Sequence, residues 1–142
     1  MATRSSIGKI AAFLPAAAVY GVIFYLSSLE TWPIEVGWSF FDKLAHGFIF
    51  GLLGAFLVFG FARGFSWRPL SLLWAALGIG AVLAGLDELH QLFVPGRDSS
   101  LWDALADVIG VALGGGLFLI FLKPGTRRVH PAGFERPGKP RL

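Results

Sequence analysis

Cysteine is absent from all 142 residues, which excludes a disulfide framework and any thiolate metal site. Charge is also scarce, at 15% of the chain against 55% hydrophobic residues, and mean hydropathy is +0.68. A soluble domain usually carries about 25% charged residues, so the composition excludes an ordinary soluble domain and places the chain in a bilayer. No internal repeat stands out. No basic-aromatic module accompanies the pI of 9.7, and a nucleic-acid partner is therefore not expected. HExxH and comparable ligand spacings are missing, so neither a metal nor a cofactor is expected from spacing.

What is present is four long apolar runs, at roughly residues 7–27, 43–62, 70–92 and 101–122. Each approaches the ~20 residues a span requires, which predicts an all-α polytopic membrane protein, a compact bundle of four transmembrane helices over residues 1–122. The first run has signal-like features in Arg4, Lys9 and Ala16-Ala17-Ala18. Its apolar character continues through Val22, Ile23, Phe24 and Leu26, beyond the 7–15 residues typical of a signal core, so it reads as a span. Residues 123–142 carry six basic residues and four prolines and read as a disordered tail. That tail acts either as a topology signal or by adhering to anionic lipid.

Basic residues fix the expected orientation. Arg4, Lys9, Arg63, Arg68 and the six of the tail fall on one side of the predicted spans, and only Lys43 and Arg97 on the other. The positive-inside rule then places both termini in the cytoplasm. Eight of the nine acidic residues, all but Glu135, lie in the opposite loops or span ends. Intramembrane charge is costly, so an acidic cluster of this kind is a functional-site hypothesis by default. Trp32, Trp38, Trp67, Trp74 and Trp102 fall near span ends, as anchoring aromatics do. Residues 28–41 form either an interfacial segment or a lid.

Glycines and alanines recur at spacings of three and four: Gly47, Gly51 and Gly54 in the second run, and Gly110 and Gly114 in the fourth. Such faces let helix backbones approach closely in lipid. The same helical spacing stacks Asp42 on His46, Asp87 on His90 and Gln91, Glu88 on Gln91, and Asp103 on Asp107. Pro95-Gly96 supplies a turn. Asp98, Ser99 or Ser100 can cap the last helix, and Ser100 stands in capping-box register with Asp103.

These motifs, Asp42-Lys43-Leu44-Ala45-His46, Asp87-Glu88-Leu89-His90-Gln91, Pro95-Gly96-Arg97 and Ser100-Leu101-Trp102-Asp103, resemble those of the VanZ-like membrane proteins. The resemblance covers all four runs. That family shows Asp-Lys-x-x-His, Asp-Glu-x-x-Gln, Pro-Gly-Arg and Ser-x-x-Asp elements, and usually Asn where this chain has Asp107. It is named for a teicoplanin-resistance factor. The resemblance implies a bacterial inner-membrane protein with a role at the cell envelope.

Each candidate has two readings. Asp42 caps the second helix or orients His46. Lys43 snorkels to headgroups or serves the site. His46 is an interhelical hydrogen-bonder or a general base. Asp87 and Glu88, adjacent in sequence, point in different directions, so one of them is expected to head the pocket and the other to pair with Arg97 or Lys43. Gln91 and His90 fall at the rim, His90 facing solvent. Arg97 clamps the hairpin or binds an oxyanion. Asp103 and Asp107 belong to one network. Catalytic candidates are therefore His46, Asp87 and Glu88, and binding candidates are Asp42, Lys43, Gln91, Arg97, Asp103 and Asp107. His46, Asp42, Asp87, Glu88 and His90 include metal-ligand types, without ligand spacing.

Three function classes remain open. The first is recognition or processing of an amphiphilic envelope component, membrane lipid or a lipid-linked precursor. The second is an intramembrane hydrolase or transferase using carboxylate or histidine acid-base chemistry. The third is an accessory subunit of a membrane complex, bound to a membrane-protein partner, whose polar cluster only fixes helix packing.

Overall fold

A computed structural model describes residues 6–30 and 39–122, with the side chains of residues 39, 40 and 42 outside that description. The expected interfacial segment, for residues 31–38, and the basic tail also lie outside the described residues.

The described residues form helices and no strands: α1 (Ser6–Ala11), α2 (Leu14–Ser27), α3 (Ser39–Gly64), α4 (Pro69–Gln91) and α5 (Leu101–Phe121). Three stretches, Lys43–Gly64, Pro69–Gln91 and Leu101–Phe121, are long and apolar enough to cross a membrane. These match the second, third and fourth expected runs within a few residues. The first run differs, because it is two helices rather than one, and α2 has only 14 residues. Pro15 explains the break. Proline lacks an N–H, and its ring clashes with the carbonyl four residues earlier, here Ala11, where α1 ends. The chain bridges the gap with a bond from Phe13 N–H to Ile10 O at 3.0 Å and resumes with Ala17 N–H to Phe13 O at 2.9 Å. Phe13 then lies over Gly60 and meets Phe61 edge-on at 5.1 Å between centroids.

α3 and α5 form the most extensive helix pair, and they run parallel. Gly47 faces Ala106 and Gly110, Gly51 faces Gly110 and Gly114, and Gly54 faces Val111. A Cβ at Gly114 would stand 2.8 Å from the Gly51 Cα, and one at Gly54 would stand 2.7 Å from the Val111 Cα. The two Gly-x-x-x-Gly steps, 47–51 and 110–114, thus carry a backbone-to-backbone contact that any side chain would push apart. α4 runs antiparallel to this pair and closes the core, where Phe50, Leu53, Val58, Ala76 and Val111 are fully buried. A Cβ at Gly80 would reach within 2.7 Å of the Val111 side chain, so α4 also approaches closely.

Large apolar side chains face outward along all three long helices, among them Phe48 (79% exposed), Trp74 (66%) and Leu113 (69%). Such a surface suits hydrocarbon and would aggregate in water. The opposite chain ends, around the α3–α4 connection, carry a stack of Phe65 on Trp67 at 4.5 Å and Arg63 over Phe59 at 5.6 Å, as expected of an interfacial anchor.

The glycine seam generates a prediction. Gly110→Ala and Gly114→Ala force the α3 and α5 backbones apart and should each destabilise by about 1–3 kcal/mol, the usual cost of overpacking. Gly116→Ala, which meets nothing within 4 Å, should leave the melting temperature in detergent unchanged or raised. Equal behaviour of the three would refute the seam.

Candidate functional site

The polar residues gather at one end of the bundle, where α3 and α5 begin and α4 ends. Parallel packing of α3 on α5 sets up two rungs: Lys43 Nζ donates to Asp103 Oδ1 at 2.8 Å, and His46 Nδ1 meets Asp107 Oδ1 at 3.1 Å. The spacing of three on α3 matches the spacing of four on α5 because both keep one helical face toward the partner. The first rung is exposed on one side only, with the Lys43 side chain 36% exposed and that of Asp103 7%. The second is enclosed, with Asp107 at 0%.

α4 brings its last turn against the second rung. Asp87 and Glu88, one of which was expected to head the pocket and the other to pair with Arg97 or Lys43, are both buried. Successive helical residues do diverge by about 100°, but Asp87 turns into the bundle while the α4–α5 connection folds over Glu88. Ser99 Oγ and Ser100 N–H both donate to Glu88 Oε2, at 3.1 and 2.6 Å. Gln91 Nε2 donates to Asp87 Oδ2 at 3.0 Å, so Gln91 is an orienting neighbour buried with the cluster rather than a rim residue.

Ser100 is the N-cap of α5, its Oγ accepting from Trp102 N–H. The capping box anticipated with Asp103 is not formed that way. Asp103 is committed to Lys43, and the acid that receives the Ser100 N–H is Glu88, from the preceding helix. This long-range version of a cap ties the end of α4 to the start of α5. The turn between them has Pro95 followed by Gly96 at φ +79, with Arg97 N–H bonded to Val94 O at 3.2 Å, a type II arrangement that requires glycine. A Cβ at Gly96 would also stand 2.8 Å from Glu30 O.

One further expectation changes. His90 does not face solvent: it is half-buried, stacked on Phe24 at 4.5 Å and bonded to Ser28 Oγ at 2.9 Å. It docks α2 on α4 and stands apart from the cluster. The Asp42 side chain lies outside the described residues, and with it both readings of that residue, as a helix cap and as a partner of His46. Arg97 sits half-buried on the α4–α5 connection.

His46, Asp87, Glu88 and Asp107 each place a ligand-capable atom within 4.8 Å of the others, all four being buried. They come from three helices, which is why no ligand spacing is visible along the chain. Asp107 is the member that the metal-ligand types read from the sequence do not include, and it joins the set through its packing against His46. On the other side of the α3–α5 seam lies an apolar groove of about 870 Å³, floored by Gly47, Gly51, Gly110 and Gly114, walled by residues such as Phe48, Leu52, Ile109 and Leu113, and reaching Lys43 at the cluster end. None of the four clustered residues lines it.

The two rungs should differ in worth. His46→Ala leaves Asp107 buried without its hydrogen-bond partner and should destabilise by about 3 kcal/mol or more, as breaking a buried pair does. Lys43→Ala also unpairs a buried carboxylate, Asp103, but opens it to solvent where the half-exposed lysine stood, and should cost less than His46→Ala. Thermal unfolding of the two variants in the same detergent checks the order.

The motifs on these helices agree with a comparison of the whole sequence. The sequence model of the VanZ/LLP1 family matches residues 1–122, which takes in every described helix. No curated protein matches the chain, and no solved structure does. With the family's sequence pattern running through all five helices and its polar elements meeting at one bundle end, the chain belongs to the VanZ-like family of membrane proteins.

Proposed function

We propose that the protein recognises or processes an amphiphilic component of the cell envelope, holding the tail in the α3–α5 groove and the polar head at the Lys43 end. The observation that carries this is the groove itself: it is apolar, opens to the side of the bundle, and its charged residue is Lys43, which stands on the first rung beside the acidic cluster. Between Ala106 and Phe121, both lining residues, α5 rises about 22 Å. That exceeds the ~15 Å of one leaflet's hydrocarbon, so a chain entering from the membrane stays solvated by protein throughout. Lys43 and Arg97 suit an oxyanion or a hydroxylated head. The surrounding carboxylates disfavour a pyrophosphate and favour a monophosphate or a neutral sugar. If the site performs chemistry, His46 with Asp87 or Glu88 is the acid-base set for hydrolysis or transfer.

The reading includes a topology. The first run crosses as a fourth span built from α1 and α2, residues 1–122 form one membrane domain, and both termini are cytoplasmic, with the cluster extracytoplasmic in the bacterial inner membrane. The ten-to-two division of basic residues supports it. A cysteine introduced at Gly37 should react with an impermeant maleimide from outside intact cells. Labelling only after the inner face is exposed would overturn the orientation.

A second reading has its own observation. The Glu88–Ser100 cap and the two rungs tie α3, α4 and α5 together, as an accessory subunit with a purely structural network would require. Mild extraction and native mass spectrometry separate the two. Wild type and Leu70→Trp, a site outside the groove, should retain a head-bearing amphiphile, and Ala55→Trp, inside it, should retain at least about tenfold less, since the indole fills the apolar volume. Equal retention in all three would favour the structural reading.

A further inference from the structure

We propose that His46, Asp87, Glu88 and Asp107 form a binding site for one divalent transition-metal cation. The proposal stands on the geometry of the cluster and holds whether or not the groove takes an amphiphile.

Each carboxylate is divided in the same way. One oxygen is held by protein: Asp87 Oδ2 by Gln91, Glu88 Oε2 by Ser99 and Ser100, Asp107 Oδ1 by His46. The other oxygen of each, Asp87 Oδ1, Glu88 Oε1 and Asp107 Oδ2, is buried with no hydrogen-bond partner among the described residues. The three residues are 1%, 7% and 0% exposed. A single orphaned buried oxygen is already unfavourable, and structures leave few of them. Three in one cluster, with Asp87 and Glu88 fixed by partners outside it and Asp107 fixed by His46 within it, is the pattern expected where hydrogen bonds orient ligands toward a shared ion.

Size agrees. Ligand atoms stand about 2.0–2.6 Å from a divalent ion, so no two around one ion are more than about 5 Å apart. The four residues meet that condition at 4.8 Å. Charge agrees as well, because three carboxylates outnumber the one imidazole, and a dication offsets their negative charge where water cannot. Three oxygen donors favour a hard ion and the imidazole favours a transition metal over Ca2+ or Mg2+, which points to Mn2+ or, with tighter binding, Zn2+.

The test uses the full-length protein in nanodiscs after chelator treatment, titrated with MnCl2, ZnCl2, MgCl2 and CaCl2 separately. Bound metal is counted by elemental analysis, and Mn2+ is followed by loss of its free-ion paramagnetic resonance signal. The expected result is one saturable Mn2+ per chain, displaced by Zn2+ and poorly by Mg2+ or Ca2+, with a rise in melting temperature that grows with ion concentration. Asp87→Asn and Glu88→Gln keep an acceptor for Gln91 and Ser100 and should fold, yet bind Mn2+ at least about tenfold more weakly and lose the ion-dependent rise. Ala55→Trp should bind as wild type does, so failure of the groove reading and failure of this one are distinguishable. No saturable Mn2+ or Zn2+ binding, or binding unchanged in both carboxylate variants, would overturn the site.

Discussion

The close approach of the α3 and α5 backbones is the constraint on which the other features depend. Lipid supplies no hydrophobic drive between helices, so association relies on packing and interhelical hydrogen bonds. Glycine at 47, 51, 110 and 114 lets the two backbones touch. Only at that separation can a lysine and a histidine one turn apart on α3 each reach an aspartate on α5. The same absence of side chains floors the outward groove. Seam, rungs and groove are consequences of a single choice of residue, and substituting it alters all three.

Burial of several carboxylates at one bundle end is the second organising fact. Low dielectric makes an unpaired charge expensive and a satisfied network rigid. The chain meets this with partners drawn from every neighbouring element: Lys43 and His46 from α3, Gln91 from α4, Ser99 and Ser100 from the connection. Glu88 has the most structural of these positions, since it completes the α5 cap. Asp87 and Asp107 have the least, each being held through a single side-chain hydrogen bond. Membership of the VanZ-like family gives the setting, a membrane protein, and the arrangement of these groups distinguishes what the site can hold.

Much of this was readable along the chain because it depends on short-range periodicity. Three long apolar runs gave three helices with nearly the expected ends, Ser100 gave its cap, and glycines three and four apart gave the seam. What failed depended on distant partners or on one overlooked residue. Pro15 splits the first run, a local effect masked by the length of the hydrophobic stretch. His90 looked like a rim residue because Phe24 and Ser28, its partners, lie more than sixty positions away, the Ser28 contact at a separation of 62. Glu88 replaced Asp103 in the capping role because Lys43, on another helix, competed for Asp103. No sequence spacing encodes the gathering of His46, Asp87, Glu88 and Asp107, since each helix contributes one or two residues.

The separations of 60 and 61 residues across the two rungs have a consequence for biogenesis. α3 and α4 leave the ribosome before α5 exists, so Lys43 and His46 enter the membrane without Asp103 and Asp107. During that interval His46 lacks Asp107, and the α4 end lacks Ser99 and Ser100 to cover Glu88. Insertion of the final span is therefore the event that closes the cluster. A chain halted before it leaves Lys43 and His46 without their α5 partners, and by that difference an incomplete copy is distinct from a finished one.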